Sequence, residues 1–253
     1  SHRRGPRMSA GPSDAFRHLP ALRHRVKPAG QSELRVTPQV LAMWDERARA
    51  QGRPADWRWS DAQIEASRRA TLDGLDLHQG LWVFGYGSLM WDPGVHFAEV
   101  RLATLGGQRR RFNFQTALAR GTVEQPALML SLEPGPGDCR GLAIHLPAER
   151  AEAELTLLWR REMIRGAYRP QLLPVATPQG DIAALVFTRN SRHPEYVGEL
   201  PLDETAAIIA RASGVMGSNR AYLEQMAHQL QMLDIHDDYV MQLLRRVQAL
   251  GAA

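Results

Sequence analysis

The stretch on which the fold prediction rests reads Leu81-Trp82-Val83-Phe84-Gly85-Tyr86-Gly87-Ser88-Leu89. An apolar run of this length that ends in two glycines and a serine predicts a buried β-strand followed by a tight, exposed loop. Because Gly85 and Gly87 lack a Cβ atom, successive backbone N–H groups can turn the same way and form a concave nest for a carboxylate or a phosphate. An ordinary strand-to-turn junction is the alternative.

Two familiar glycine-rich motifs do not fit this loop. A dinucleotide-binding fingerprint has a third glycine that opens a helix, whereas Gly87-Ser88-Leu89-Met90 is followed by Trp91-Asp92-Pro93. A nucleophile elbow has a glycine two residues before and two residues after its serine, and Tyr86 and Met90 occupy those positions around Ser88. The spacing therefore excludes a Rossmann site and makes Ser88 a poor nucleophile.

Composition predicts a globular protein without metal or cofactor. The 253 residues are 44% hydrophobic and 23% charged, which is enough apolar material for a full core. No apolar run approaches the ~20 residues of a membrane span, and a signal peptide is not evident, so we expect a soluble, cytoplasmic protein. Cys139 is the single cysteine, which excludes an internal disulfide and a multi-cysteine zinc site. No HExxH or paired metal-ligand spacing is present, so we predict neither a metal nor a cofactor.

The chain divides into three predicted parts. Residues 1–36 are rich in proline, glycine, serine and arginine without a sustained period, which predicts a basic, flexible arm. Residues 37–80 are predicted to form two helices, the first capped by Thr37 and the second by Ser60. Residues 81–253 form the main domain. The arm carries much of the formal net charge of +4 and can touch nucleic acid or acidic lipid, with a solvated arm as the alternative.

The main domain begins with a pattern typical of strands and ends with one typical of helices. Strand-like runs lie near residues 81–86, 98–114, 127–133, 139–146, 169–176 and 181–188. Turns are predicted at residues 134–138 and 178–180, and a helix at about 148–165 lies between the two pairs of strands. Three further helices follow, with Asp203 and Ser218 as caps of the first two. This order predicts an α+β fold with a small closed or strongly curved mixed sheet and a helical C-terminus.

A carboxylate interrupts the apolar face of the predicted central helix. The residues that recur there at helical spacing are Leu155, Leu158, Trp159 and Met163. Glu162 lies on the same face, so its side chain is predicted to point at the sheet. Burying a carboxylate is costly, and desolvation raises its pKa toward the range where it can accept and return a proton near neutral pH. A structural ion pair with an arginine is the alternative.

Several short motifs occur in a fixed order along the chain. They are Val83-Phe84-Gly85-Tyr86-Gly87-Ser88-Leu89, Arg110-Arg111-Phe112, Arg120-Gly121-Thr122, Arg161-Glu162, Gly166-Ala167-Tyr168 and Gly217-Ser218-Asn219-Arg220-Ala221-Tyr222-Leu223. Together they resemble the ChaC-type γ-glutamylcyclotransferase family over about residues 81–249. The glycine-rich loop and the downstream glutamate are the specific part of this resemblance.

The resemblance implies both a fold and an activity. The fold is a γ-glutamylcyclotransferase-like small mixed β-barrel with peripheral helices. The activity is cleavage of glutathione, or of a related γ-glutamyl peptide, into 5-oxoproline and a released amine such as cysteinylglycine. The α-amine of the substrate attacks its own γ-carbonyl in this reaction, so the enzyme needs neither a protein nucleophile nor a metal.

The resemblance also implies roles for particular residues. Glu162 is the general base and then the general acid, and the substrate-binding loop consists of Val83, Phe84, Gly85, Tyr86, Gly87, Ser88 and Leu89. Arg111, Arg120 and Tyr168 are further candidates for substrate binding. The two arginines can clamp a second carboxylate of the substrate, and a structural role is the alternative for each.

The chain departs from the family pattern at two positions, and a rival function also fits the sequence. The family usually has a second glycine where this chain has Ala167, and often a tryptophan where it has Arg140, which leaves the leaving-group side of the substrate open. The rival is a non-catalytic binding protein of the same fold whose basic arm contacts nucleic acid or another partner. Because residues 1–36 lie outside the resemblance, we expect them to be dispensable for catalysis.

Overall fold

The computed structural model describes residues 14–251, and the strand predicted from the apolar run lies at its centre. This strand, β1 (Leu81–Gly85), belongs to a five-stranded sheet with the order β2-β3-β1-β5-β4. The other strands are β2 (Glu99–Thr116), β3 (Ala127–Leu146), β4 (Tyr168–Val175) and β5 (Ile182–Arg189). β1 pairs antiparallel with β3 and parallel with β5. Because both its edges and both its faces are covered, β1 is apolar throughout.

Six α-helices of the described chain pack around this sheet. They are α1 (Pro38–Ala50), α2 (Asp61–Leu72), α3 (Ala148–Glu162), α4 (Leu202–Arg211), α5 (Asn219–Met232) and α6 (Asp238–Gly251). The predicted caps Thr37, Ser60 and Ser218 are confirmed, since each side chain accepts a backbone N–H three residues on. Asp203 is not a cap, because α4 begins one residue earlier, after Pro201. No helix within residues 14–251 has the length and hydropathy to cross a membrane.

The sheet separates two apolar cores. Val83 packs in one of them with Leu158 and Trp159 of α3. The next residue, Phe84, packs in the other with residues of α5 and α6. The alternation of side chains along a strand produces this division, and it places α3 on one face of β1 and the C-terminal helices on the other.

One of the two predicted turns is wrong. β3 runs without a break through residues 134–138, and there Gly106 pairs with Asp138 while Gln108 pairs with Pro134. The extra residues form a bulge opposite the glycines of β2, so the proline- and glycine-rich segment bends a long strand and does not end it. The turn at residues 178–180 is confirmed, with Thr177 and Gly180 exchanging backbone hydrogen bonds.

The sheet is strongly curved, but it is not closed into the predicted barrel. Within the described chain, the edge strand β2 meets the end of β4 at one bridge, where Thr104 and Ala176 exchange hydrogen bonds of 2.9 and 3.0 Å. The bulge after Gly106 follows directly, and bulges bend a strand away from its neighbour. The α+β class is therefore confirmed, whereas the closed barrel is wrong for this sheet.

Residues 14–36, which we name the N-terminal strap, are not a flexible arm. Leu22 and Val36 are almost completely buried, and Leu22 lies in the core that contains Phe84. Arg35 also forms a two-point ion pair with Glu154 of α3, at 2.6 and 3.0 Å. The arginine-rich composition predicted a solvated segment, but a few apolar residues between the arginines are enough to anchor it in the core. Residues 1–13 of the predicted arm lie outside the described residues.

We expect Arg35→Met to destabilise the protein far more than the loss of an exposed ion pair. The Glu154 side chain is only 3% exposed, so removing its partner strands a buried charge and lowers the free energy of unfolding by about 3–5 kcal/mol. The matched control is Arg23→Met in the exposed pair with Asp14, for which we expect little or no loss of stability, because solvent screens the interaction. Urea unfolding measures both, and equal losses would contradict a docked strap.

Candidate active site

The loop after β1 approaches other side chains so closely that its glycines have no room for a Cβ atom. A Cβ at Gly87 would lie 2.7 Å from the Tyr222 hydroxyl and 3.0 Å from Leu130 Cδ2. A Cβ at Gly85 would lie 3.0 Å from Leu89 Cβ. Neither glycine has a positive φ. Close packing, and not a left-handed backbone, therefore requires glycine at both positions.

Two backbone N–H groups in this loop have no acceptor. Within residues 14–251, the N–H groups of Gly87 and Leu89 make no hydrogen bond, although both residues are buried. The Ser88 N–H between them donates to the Tyr222 hydroxyl at 3.3 Å. Buried N–H groups without a partner are rare in native proteins. This pair of donors is therefore suited to an anion such as a carboxylate.

Two buried side chains hold the loop from behind. Arg110 donates from Nε to the Tyr86 carbonyl at 2.6 Å, and Gln229 donates to the Met90 carbonyl at 2.8 Å. The guanidinium of Arg110 is neutralised by Asp237 at 2.6 Å. Residues 109–111 are three consecutive arginines, and strand alternation directs the middle one, Arg110, inward, where it fixes the loop.

The candidate carboxylate lies at the C-terminal end of α3. Glu162 is the last residue of this helix, which ends three residues before the predicted bound, and its side chain is only 13% exposed. Burial raises the pKa of the Glu162 carboxyl group, and the Arg161 guanidinium, with Nε at 3.2 Å from Oε1, opposes the shift. The inward direction predicted from the helical face is confirmed. Burial and an arginine neighbour, which the sequence offered as alternatives, are both present.

Three buried tyrosines from different parts of the chain interact electrostatically with Glu162. Tyr86 follows β1 and donates to the Phe187 carbonyl at 2.6 Å, whereas Tyr168 begins β4 and donates to the Leu130 carbonyl at 3.0 Å. Tyr222 lies on α5. Burial raises the pKa of all three hydroxyls, and the negative charge of Glu162 raises each pKa further. The hydroxyls are therefore neutral near pH 7 and can serve as hydrogen-bond donors.

Arg161 connects Glu162 to the glycine-rich loop. Its guanidinium donates to Ser88 Oγ at 2.8 Å and to the Asp92 carbonyl at 2.5 Å. One side chain thus contacts both the loop and the neighbouring carboxylate, which places them at a single site. Because Ser88 Oγ accepts from a cation here, the hydroxyl helps to position Arg161.

The structure brings together some of the further candidates and leaves one apart. Tyr168 lies at the site. Arg120 lies beside it, with its Cζ 5.8 Å from the ring centre of Tyr222 and a hydrogen bond of 3.2 Å to the Ser218 carbonyl. Burial lowers the pKa of Arg120, and no carboxylate of the described residues forms an ion pair with it. Arg111 is instead paired with Glu199 at 2.8 Å, on the ring of a tyrosine from α6.

The two departures from the family pattern lie in different surroundings. Ala167 is buried directly before Tyr168, where its carbonyl accepts the Asn190 N–H. The Arg140 side chain is exposed and reaches the His236 carbonyl at 3.4 Å. Ala167 is therefore the departure that adjoins the site.

Two residues of the site carried no predicted role. Arg161 and Tyr222 both belong to the motifs quoted above, but spacing gave no reason to assign them, because their partners lie 73 and 134 residues away. Membership of the quoted motifs was the sequence feature that could have identified both residues. Across residues 14–251, His, Cys, Asp and Glu side chains form no group of three or more that could hold a metal ion.

Comparison with known proteins identifies the family. The family model described as ChaC-like protein matches residues 81–250. A protein of Escherichia coli (strain K12) named glutathione-specific gamma-glutamylcyclotransferase is 42% identical over 195 residues, which cover 77% of this chain and 84% of that protein. Human glutathione-specific gamma-glutamylcyclotransferase 1 is 30% identical over 158 residues, which cover 61% and 71% of the two chains. This chain belongs to the ChaC-like protein family.

A solved structure supports the same conclusion for the fold. The crystal structure of a yeast gamma glutamyl cyclotransferase specific to glutathione superposes with a TM-score of 0.63 at 24% identity. The match covers 68% of this chain and 96% of the yeast chain. The resemblance stated from the motifs is therefore confirmed by sequence and by fold.

We expect Gly87→Ala to destabilise the protein by about 1–3 kcal/mol, because the new methyl group overpacks the space against Tyr222 and Leu130. Gly106→Ala is the control, since a Cβ added there would have no atom within 4 Å. Adding Tyr222→Phe to Gly87→Ala removes the closest atom and should restore part of the loss. Urea unfolding of the three variants checks this, and equal stability of the two alanine variants would contradict the packing argument.

Proposed function

We propose that this protein cleaves glutathione into 5-oxoproline and cysteinylglycine. The observation that carries the proposal is a carboxylate shielded from solvent, Glu162, linked through Arg161 to a loop with two N–H groups that have no partner within residues 14–251. That arrangement supplies a proton carrier and an anion site side by side. Relatives whose names specify glutathione, including the Escherichia coli protein at 42% identity, support the choice of substrate.

The anion site fits the α-carboxylate of the γ-glutamyl group. The N–H groups of Gly87 and Leu89 bind this carboxylate through the backbone, so the affinity does not depend on a charged side chain. Holding the carboxylate there folds the glutamyl chain back, and the α-amine then lies near the γ-carbonyl. Orientation of this kind converts an unfavourable encounter into an intramolecular one.

Glu162 moves the proton in the reaction. The amine nitrogen forms a bond with the γ-carbon and loses a proton to the carboxylate, and the C–N bond to cysteinylglycine then breaks as the carboxyl group returns that proton to the leaving amine. Burial and Arg161 act in opposite directions on the pKa of Glu162, which suits a group that must both accept and donate. The Tyr222 hydroxyl accepts the Ser88 N–H, so its own proton is free to donate to a substrate oxygen.

Glu162→Gln should reduce 5-oxoproline formation by roughly 10²- to 10⁴-fold, because the amide cannot carry a proton. We expect the melting temperature to hold or rise at neutral pH, since Arg161 keeps its bonds to Ser88 and Asp92 and one buried charge is removed. Glu152→Gln, on an exposed position of the same helix, is the matched control and should leave turnover unchanged. Turnover and thermal melting are the measurements.

A destabilised Glu162→Gln protein with near-normal turnover would assign this residue to a structural ion pair. Wild-type protein that makes no 5-oxoproline, yet binds RNA in a salt-dependent manner, would favour the rival function of a nucleic-acid-binding protein. The cytoplasmic location stays a prediction of the sequence.

Arg120 is the better candidate for binding the glycine carboxylate of glutathione. It is a half-buried cation beside Tyr222 without an acidic partner among the described residues, whereas Arg111 is already paired with Glu199. A buried cation in this state stabilises an incoming carboxylate. Glutathione is only three residues long, so its glycine carboxylate stays within reach of residues beside the binding loop, as Arg120 is.

Arg120→Gln should raise the KM for glutathione by about 10- to 100-fold, because a charge-assisted hydrogen bond contributes about 1.5–3 kcal/mol. The same variant should change the KM much less with glutathione whose glycine carboxylate is amidated. Arg111→Gln is the matched control. Steady-state kinetics with the two substrates measures the effect, and an equal KM change for both substrates would reject the carboxylate assignment.

A further inference from the structure

The N-terminal strap lies against the segment that directly follows the glycine-rich loop. The Lys27 N–H donates to the Trp91 carbonyl at 2.8 Å. The Ser32 hydroxyl donates to the Asp92 carboxylate, and it also accepts the Leu34 N–H at 3.0 Å. Asp92 is a buried residue. Within the described residues, both partners of its carboxylate, Ser32 and, at 4.0 Å, Lys27, therefore come from a part of the chain that precedes the family domain.

The strap is locked in this position at a second point. Arg35 binds Glu154 of α3 and donates to the Gly94 carbonyl at 3.3 Å. Glu154 also accepts the His96 N–H at 3.1 Å. Gly94 approaches the strap so closely that a Cβ there would lie 2.8 Å from the Leu34 carbonyl oxygen. The segment from Trp91 to His96 is thus clamped between the strap and α3.

The clamped segment is hydrogen-bonded directly to residues of the active site. The Asp92 carbonyl accepts from Arg161, whose other nitrogens contact Ser88 Oγ and Glu162. The Asp92 N–H in turn donates to the Ser88 carbonyl at 2.8 Å. The direction of the Arg161 guanidinium therefore depends on where the backbone of Asp92 lies, and Ser32 helps to fix that position.

We propose that the N-terminal strap is a positioning element of the active site, in which Ser32 and Asp92 hold Arg161 against Glu162. The proposal rests on the proposed function. It also replaces the expectation that all of residues 1–36 are dispensable for catalysis. Ser32 and Asp92 are positioning residues, because they act through Arg161 and not on the substrate.

The proposal predicts a change in the pKa of Glu162, which depends on the groups near its carboxylate. Arg161 adjoins it on α3, and Tyr86 after β1, Tyr168 on β4 and Tyr222 on α5 interact with it electrostatically. The tyrosines are neutral near pH 7, so Arg161 is the charged neighbour of Glu162 in the described chain. An opposite charge at this distance lowers the pKa of a carboxyl group. Displacing Arg161 therefore raises the pKa of Glu162, and catalysis by the ionised form begins at a higher pH.

We expect Ser32→Ala and Asp92→Ala, each in the full chain, to move the acidic limb of the kcat/KM profile for glutathione to higher pH. The shift should be a fraction of the ~1–3 units that Arg161→Gln produces by removing the charge. Arg23→Ala, in an exposed pair of the same strap, is the matched control and should leave the limb in place. The profile of kcat/KM reports the free enzyme, so substrate binding does not obscure the shift.

A double-variant comparison separates positioning from general loss of stability. In an Arg161→Gln background, Ser32→Ala should cause no further shift, because the charge that it positions is absent. An unchanged limb in the single variants, or an equal shift in both backgrounds, would overturn the proposal. Absence of 5-oxoproline from the wild-type protein is a different outcome, which refutes the proposed function itself.

Discussion

The burial of Glu162 beside Arg161 is the interaction on which the rest of the site depends. Burying the Glu162 carboxylate at the end of α3 costs desolvation free energy, and attraction to the adjacent Arg161 guanidinium offsets part of that cost. The compensation is incomplete, since burial still raises the pKa of the carboxyl group. A carboxyl group whose pKa is raised in this way takes up a proton at a higher pH than one in a fully compensated ion pair, which suits a group that transfers protons.

The residues around Glu162 and Arg161 come from the sheet and from helices on both of its faces. β1 delivers the loop and Tyr86, β4 delivers Tyr168, and α5 delivers Tyr222. Arg110 fixes the loop from within the sheet. Because these elements pack in two cores on opposite faces of β1, the site rests on a packed support.

The strap shows how a segment outside the family match takes part in the same arrangement. Its apolar residues dock in the core, and its polar residues meet Asp92 and Glu154, which the family domain contributes. In the proposed mechanism, the core domain depends on the preceding chain for the positions of its catalytic groups. Composition alone does not reveal this, because the arginines of the strap are indistinguishable in sequence from those of a solvated arm.

Local pattern was enough to determine β1, the capped helices, the apolar face of α3 and the inward direction of Glu162, because each depends on the spacing of near neighbours along the chain. The motifs together were enough to determine the family. Tertiary structure alone decided that residues 134–138 continue a strand, that the sheet stays open, and that Arg35 meets Glu154. It also decided the partners of Arg161 and Tyr222. The long-range contacts among these join positions 69 to 134 residues apart, and the continued strand depends on a bulge in a paired strand. Neither leaves a periodic signal in the sequence.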